Sequence, residues 1–133
     1  MSAVGRATDL APWIAYARPV PGSGPVLVCC HHAGGAASAY RGWAAPLAGH
    51  GIEVWPVQLP GREARYGEPT TTDLPAVVTA LTGLLREQVA GRPYALYGHS
   101  AGAMLAYGLA LAASAAGHGP RHLFTGACRP PSL

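Results

Sequence analysis

Apolar positions along the chain fall into two rhythms. Residues 26–30, Val-Leu-Val-Cys-Cys, form an unbroken apolar run of strand length, the pattern of a strand covered on both faces. Residues 52–57, 94–97 and 122–128 are expected to be further strands. Between them the period changes. Leu74, Val77, Val78, Leu81, Leu84, Leu85 and Val89 recur at helical spacing, with Arg86, Glu87 and Gln88 near the end and Gly91 beyond it. Thr72 or Asp73 suits the cap of this helix, and Pro75 is tolerated in its first turn. Residues 103–116 read as an alanine-rich helix ended by Gly117. Ser38 is placed to cap a helix running to about Gly49, with Pro46 as its weak point. Residues 13–18 alternate large and small side chains and suggest an early edge strand. Glycine and proline mark 19–25 as a turn; 31–37 is a glycine-rich loop and 58–71 a polar one. Strands alternating with helices predict an α/β fold: a mostly parallel sheet with helices on its faces.

Length and composition narrow the reading further. The 133 residues suit one domain, 1–133, and 50% apolar against 11% charged residues is a globular balance. The net charge of +3 comes from nine scattered arginines and no lysine, with no basic stripe, so nucleic acid is not an expected partner. The longest small-apolar stretch, 101–117, is too weakly hydrophobic for a bilayer span, so no membrane association is expected. Residues 1–19 lack the charged start and apolar core of a secretory signal. Cys29 and Cys30 sit in an apolar run, Cys128 makes the number odd, and no Cys-x-x-Cys pair suggests a metal. Free thiols in a cytoplasmic protein follow as the expectation.

The chemistry concentrates at Gly98-His99-Ser100-Ala101-Gly102. Chance alone supplies about 0.1 matches to Gly-x-Ser-x-Gly in a chain of this composition, so the motif needs its context. A strand before it and a helix after it supply that context and make it a nucleophile elbow of the α/β-hydrolase type. A strand reversing directly into a helix strains its central residue, and Gly98 and Gly102 remove the side chains that would collide. Ser100 then presents its hydroxyl at a helix N-terminus, where backbone N–H groups face a developing oxyanion. A second loop, His31-His32-Ala33-Gly34-Gly35, follows the C-terminal end of the first apolar strand, the end where parallel sheets bind ligands.

These stretches resemble the N-terminal half of type II thioesterases, the stand-alone editing enzymes of polyketide and nonribosomal peptide (antibiotic) biosynthesis. The resemblance runs from about Val26 to Leu133. It rests on His32-Ala33-Gly34-Gly35 with Trp43, on Val57-Gln58-Leu59-Pro60-Gly61-Arg62, on 93–103 and on 123–132. The Gln-x-Pro-Gly-Arg piece is the most specific of the four. The resemblance implies that Ser100 is the catalytic nucleophile and that the amides of Ala33 and Ala101 form the oxyanion hole. Gly98, His99, Gly102 and His32 would support the elbow. The implied reaction is hydrolysis of an acyl or aminoacyl thioester on the phosphopantetheine arm of an acyl or peptidyl carrier protein, with no cofactor and no metal in the enzyme. Ala101 stands where the family commonly has Met, and His31 where Pro is usual.

A serine hydroxyl needs a base. In this fold the acid and histidine follow the serine, yet the residues after Ser100 include no Asp or Glu. His118 and His122 lie before or at the start of a strand, at the wrong end of a parallel sheet. His99 adjoins Ser100 but strand alternation turns its side chain elsewhere. Asp73 is better read as a helix cap and Asp9 as part of the tail. His31 and His32 are at the correct end. The resemblance places the family's lid and last strands after Leu133. The chain is therefore expected to be part of a hydrolase that is inactive by itself, with 122–128 as an exposed apolar edge prone to self-association. Two other readings stay open: a different α/β-hydrolase such as a carboxylesterase, or a non-catalytic piece that binds a carrier or partner chain.

Overall fold

Four parallel strands line up in the order β2-β1-β3-β4: β1 (Val26–Cys30), β2 (Glu53–Pro56), β3 (Tyr94–His99) and β4 (His122–Gly126). The structure is a computed structural model that describes residues 10, 12–22, 24–31, 35–61, 65, 67–68, 73–89 and 91–126. Helices fill the crossovers. A 3-10 segment, Ala37–Trp43, runs into α1 (Ala44–Ala48) between β1 and β2. Helix α2 (Leu74–Val89) joins β2 to β3, and α3 (Ala101–Ala115) joins β3 to β4. The expected parallel sheet flanked by helices is thus observed, as a partial α/β-hydrolase arrangement.

Side-chain alternation divides the core. Val26, Val28, Leu96 and Trp55 point to one face, where Leu81 and Leu85 of α2 and Leu105 and Leu109 of α3 cover them. Cys29 and Val54 point to the other, under Tyr40 and Ala44. The helix α2 has its apolar stripe where the spacing put it: Val77, Leu81, Leu85 and Val89 are buried. Its cap is Asp73, whose Oδ1 accepts the Ala76 N–H at 3.1 Å; Thr72 lies outside the described residues. Gly83 sits on its exposed face with nothing within 4 Å of where a Cβ would stand. Gly83→Ala is therefore expected to raise stability by about 0.5–1 kcal/mol, read as a higher denaturation midpoint, because alanine loses less backbone entropy in a helix.

Two expectations are corrected. Residues 13–18 form no strand: Ile14 makes one isolated antiparallel bridge to Val57, and Tyr16 at φ 60° breaks the extended run. Ser38 does not cap a helix. The segment starts as a 3-10 helix with Ala36 at its cap and no side-chain cap bond. The Ala37 N–H is taken instead by Gln58 Oε1 at 2.9 Å, from 21 residues away. A tertiary acceptor has replaced the local one. Ile52 and Val57 flank β2 rather than belonging to it, and β3 runs on through Gly98 and His99. Helix α3 starts earlier than expected, at Ala101. β4 is described to Gly126; residues 127 and 128 lie outside the described residues.

Among the described residues β4 pairs only with β3, and Phe124 is half exposed. Beside it, at the N-terminal end of the sheet, an apolar cavity of ≈ 240 Å³ is lined by residues including Leu27, Leu47, Ile52, Ala95 and Phe124. No described helix is long and apolar enough to cross a membrane.

Candidate active site

The strand order reverses between β1 and β3. The connection after β1 goes to one side, to β2; the next passes back over to β3 on the other side. Such a switch point opens a crevice beyond the carboxyl ends of the two strands. Ser100 stands there, directly between the last residue of β3 and the first of α3.

The local geometry is that of an elbow. Ser100 has φ 57° and ψ −119°, a strained conformation for a residue with a Cβ. Its N–H donates to Gly126 O on β4 at 2.8 Å, and its carbonyl accepts from Ala103 N–H at 2.9 Å. The side chain is exposed and makes no cap bond to the helix. An ordinary capping serine would spend its hydroxyl on the N2 or N3 amide; this one does not. Ala101 opens α3, so its amide is among the first four N–H groups that the helix itself cannot satisfy. No acidic side chain in the first turn competes for them.

The flanking glycines are required by contact, not by their own dihedrals; neither has a positive φ. A Cβ on Gly98 would stand 2.5 Å from Ala103 Cα. One on Gly102 would stand 2.6 Å from the His31 carbonyl oxygen and closer still to that of Cys30. Gly102 therefore lets the first turn of α3 lie against the end of β1. This contact sets the elbow against Cys30 and His31, where β1 ends. His31 is buried at the end of β1. His32, Ala33 and Gly34 lie outside the described residues. His99 ends β3 half-buried, and its Nδ1 lies 3.5 Å from where a Gly126 Cβ would stand, which places the ring beside the end of β4.

His118 and His122 are at the far end. The Tyr94 hydroxyl donates to His118 O at 2.7 Å, and His122 pairs with Ala95. Tyr94 starts β3, six residues before Ser100, or about 20 Å at the strand rise of ~3.3 Å per residue. Asp73 is occupied as the α2 cap; Asp9 lies outside the described residues. Cys29 and Cys30 have no partner cysteine. Burial raises both thiols, Cys30 to about 12, so neither is a competing nucleophile at neutral pH. Among the described residues no group of three or more His, Cys, Asp or Glu could hold a metal.

The thioesterase domain family model matches residues 25–133. The chain belongs to the thioesterase domain family. A probable cadicidin biosynthesis thioesterase of Streptomyces griseus is 38% identical over 135 residues, 98% of this chain and 36% of that protein. A protein of Brevibacillus parabrevis named linear gramicidin dehydrogenase LgrE is 40% identical over 109 residues, 81% of this chain and 41% of that one. That name states an oxidoreductase; the turn here carries Gly-x-Ser-x-Gly and not the Gly-x-Gly-x-x-Gly of a dinucleotide site. Among solved structures, the type II thioesterase BorB of the borrelidin biosynthetic cluster is 40% identical, with a TM-score of 0.82 over 90% of this chain and 48% of BorB. The chain thus spans less than half the length of each of these relatives.

Sequence reasoning missed a buried polar network at the end of β2 in this thioesterase-family chain. Gln58 was visible only as part of a family signature. In the structure it is buried, its N–H donates to Trp13 O at 2.7 Å, and its carbonyl accepts from Arg65 Nη1 at 3.2 Å. Arg65 stacks over the Trp13 ring at 4.2 Å and forks onto Glu68 through bonds of 2.7 and 2.8 Å. That fork, first through its hydrogen bonds, holds the Glu68 carboxyl below its ordinary range. The available signal was a glutamine set between two apolar residues, Val57 and Leu59, directly after a buried strand.

Proposed function

We propose that this chain supplies the nucleophile and oxyanion-hole amides of a serine thioesterase. Its substrate is an acyl or aminoacyl group carried as a thioester on the phosphopantetheine arm of an acyl or peptidyl carrier protein, in polyketide or nonribosomal peptide biosynthesis. The observation that carries the reading is the strained, uncapped Ser100 at the switch point, with the end of β1 packed against its turn. Ser100 Oγ attacks the thioester carbonyl, forming an ester bond. The Ala101 and Ala33 amides stabilise the oxyanion, and the C–S bond breaks to release the arm as its thiol. Water then cleaves the acyl-enzyme. One such amide donor is worth about 10²–10³ in rate. The arm belongs to the substrate; the enzyme itself needs no cofactor. The work takes place in the cytoplasm, where carrier-bound synthesis runs.

The proton from Ser100 requires a base, and His118 and His122 stand about 20 Å away by the strand rise. We therefore expect slow acylation, and no efficient turnover, in the chain by itself. Prolonged incubation with an acyl-carrier thioester should leave a stoichiometric acyl adduct on the Ser100 peptide, absent in Ser100→Ala. Adduct on another residue, or none, would sink the nucleophile reading. Steady hydrolysis that disappears in Ser100→Ala would sink the expectation of poor turnover.

The distance of His118 and His122 from Ser100 favours a second reading, a half-site that only binds a carrier protein. Failure to co-elute with any loaded carrier would remove it. A preference for simple esters over carrier thioesters would instead favour a carboxylesterase.

A further inference from the structure

The backbone of Ser100 is held from the neighbouring strand. β3 ends at His99, and His99 pairs with Gly126 at the end of β4. One residue further on, the Ser100 N–H donates to Gly126 O at 2.8 Å, which carries the ladder into the elbow. The Ser100 carbonyl accepts from the Ala103 N–H, a bond local to the first turn of α3. The Gly126 bond comes from outside that turn and ties the strained residue to the sheet. It also commits the Ser100 amide to β4, so that amide is not a donor for an oxyanion.

Gly126 has no positive φ, so its own dihedrals would accept other residues. The space beside it would not. A Cβ there would stand 2.8 Å from the Tyr97 hydroxyl oxygen, too close for two unbonded atoms. The next nearest atoms are His99 Nδ1 at 3.5 Å and Tyr97 Cζ at 3.6 Å, both ordinary contacts. Tyr97 and His99 share one face of β3, so the Tyr97 ring reaches diagonally over the end of β4. That ring is wedged. Its centroid lies 5.2 Å from that of Trp43 and 5.9 Å from that of Tyr40. Tyr40 is in turn pinned by its hydroxyl, which donates to Cys30 O at 2.8 Å. Turning the Tyr97 ring about its own axis leaves the hydroxyl oxygen in place, because that oxygen lies on the axis. The opposite partner is softer. Among the described residues β4 pairs only with β3, so the end of β4 is the part that would give way.

We propose that Gly126 is a positioning residue for the nucleophile: its carbonyl holds the Ser100 amide, and its missing side chain leaves the space that the Tyr97 hydroxyl occupies. A side chain at 126 would meet that hydroxyl, lift the end of β4 and release the elbow. The proposal rests on the nucleophile reading above for its catalytic meaning, and on the Ser100–Gly126 bond for its structural content.

Amide hydrogen exchange followed by NMR on the full chain tests it. The Ser100 amide should be protected in the unaltered protein. In Gly126→Ala it should exchange about tenfold faster or more, while mid-strand amides of Val28 and Leu96 change less than about twofold, the signature of local opening. Tyr97→Phe removes the oxygen that the new methyl group would meet. On that background Gly126→Ala should accelerate Ser100 exchange by less than about threefold. A fluorophosphonate probe supplies the second arm. Its adduct on Ser100 should form about tenfold or more slowly in Gly126→Ala, and adding Gly126→Ala to Tyr97→Phe should slow it by less than about threefold. If Gly126→Ala does not fold, the double variant decides: it should fold, and its failure overturns the proposal. An unprotected Ser100 amide in the unaltered chain overturns it without any variant. So do equal acceleration across the whole sheet, labelling of Gly126→Ala at the unaltered rate, and equal losses on the two backgrounds. If the unaltered chain fails to label at Ser100, the nucleophile reading falls, and the exchange arm alone decides whether Gly126 holds the elbow.

Discussion

Arg92→Ala is expected to cost about 3–5 kcal/mol of folding stability. The reason lies in Glu53, the first residue of β2, which is 0% exposed. Its Oε2 accepts from Trp55 Nε1 at 2.7 Å, and its Oε1 lies 3.4 Å from the Val20 N–H donor. Among the described residues Arg92 brings a countercharge, with Nη1 at 3.2 Å from Oε1. Arg92 Nε also donates to Gly24 O at 2.8 Å, tying the turn before β1 to the short approach to β3. Removing the guanidinium would take this countercharge away from a fully buried carboxylate. Urea denaturation followed by tryptophan fluorescence measures the loss. Arg92→Met combined with Glu53→Gln should recover most of it, because an uncharged pair has no desolvated charge to compensate. A loss under about 1 kcal/mol in Arg92→Ala would show that the pair is effectively solvated.

Gly102→Ala is expected to cost about 3 kcal/mol or to prevent folding, at the upper end of what overpacking produces. The new methyl group would meet the carbonyl oxygens of Cys30 and His31, which are backbone atoms at the end of a central strand. The Cys30 carbonyl belongs to the last pair of the β1–β3 ladder, Cys30 with Gly98, so it cannot retreat without disturbing that ladder. A contrast sharpens the test. On α3 the next glycine, Gly108, would meet only Val78 Cγ2 at 3.1 Å, a side-chain atom with room to turn. Gly108→Ala should therefore change stability by less than about 1 kcal/mol, since the helix gain offsets the crowding. Equal effects at both positions, measured by thermal denaturation, would count against the steric account. Any Gly102→Ala protein that folds should also label more slowly at Ser100 with a fluorophosphonate probe, because the methyl group pushes the elbow away from the end of β1.

Much of this was legible in the order of residues. The spacing of Val77, Leu81, Leu85 and Val89 is a one-dimensional signal, and the helix buried those residues. The apolar run 26–30 meant a doubly covered strand, and β1 lies in the middle of the sheet. Asp73 was readable as a cap because its acceptor serves an amide three residues away. Ser38 misled for the complementary reason. Its position matched a cap rule, but the amide at the start of the segment had a partner 21 residues distant. Tyr16 defeated the early strand because a positive φ in a tyrosine leaves no mark on side-chain alternation.

By itself the sequence determined the element order, the parallel sheet, and the strand–Gly-x-Ser-x-Gly–helix context that picks out Ser100. These follow from periodicity and from the steric demands of a turn, which depend on near neighbours along the chain. Only the tertiary structure decided that the order β2-β1-β3-β4 puts Ser100 at the switch point, and that Gly102 lies against Cys30 and His31. It alone showed that Gln58 caps Ala37 and that Arg92 neutralises Glu53. Those contacts join residues tens of positions apart, and a hydrogen bond or a close approach depends on where atoms end up in space. Such pairings leave no period along the chain, whereas the elements they brace do.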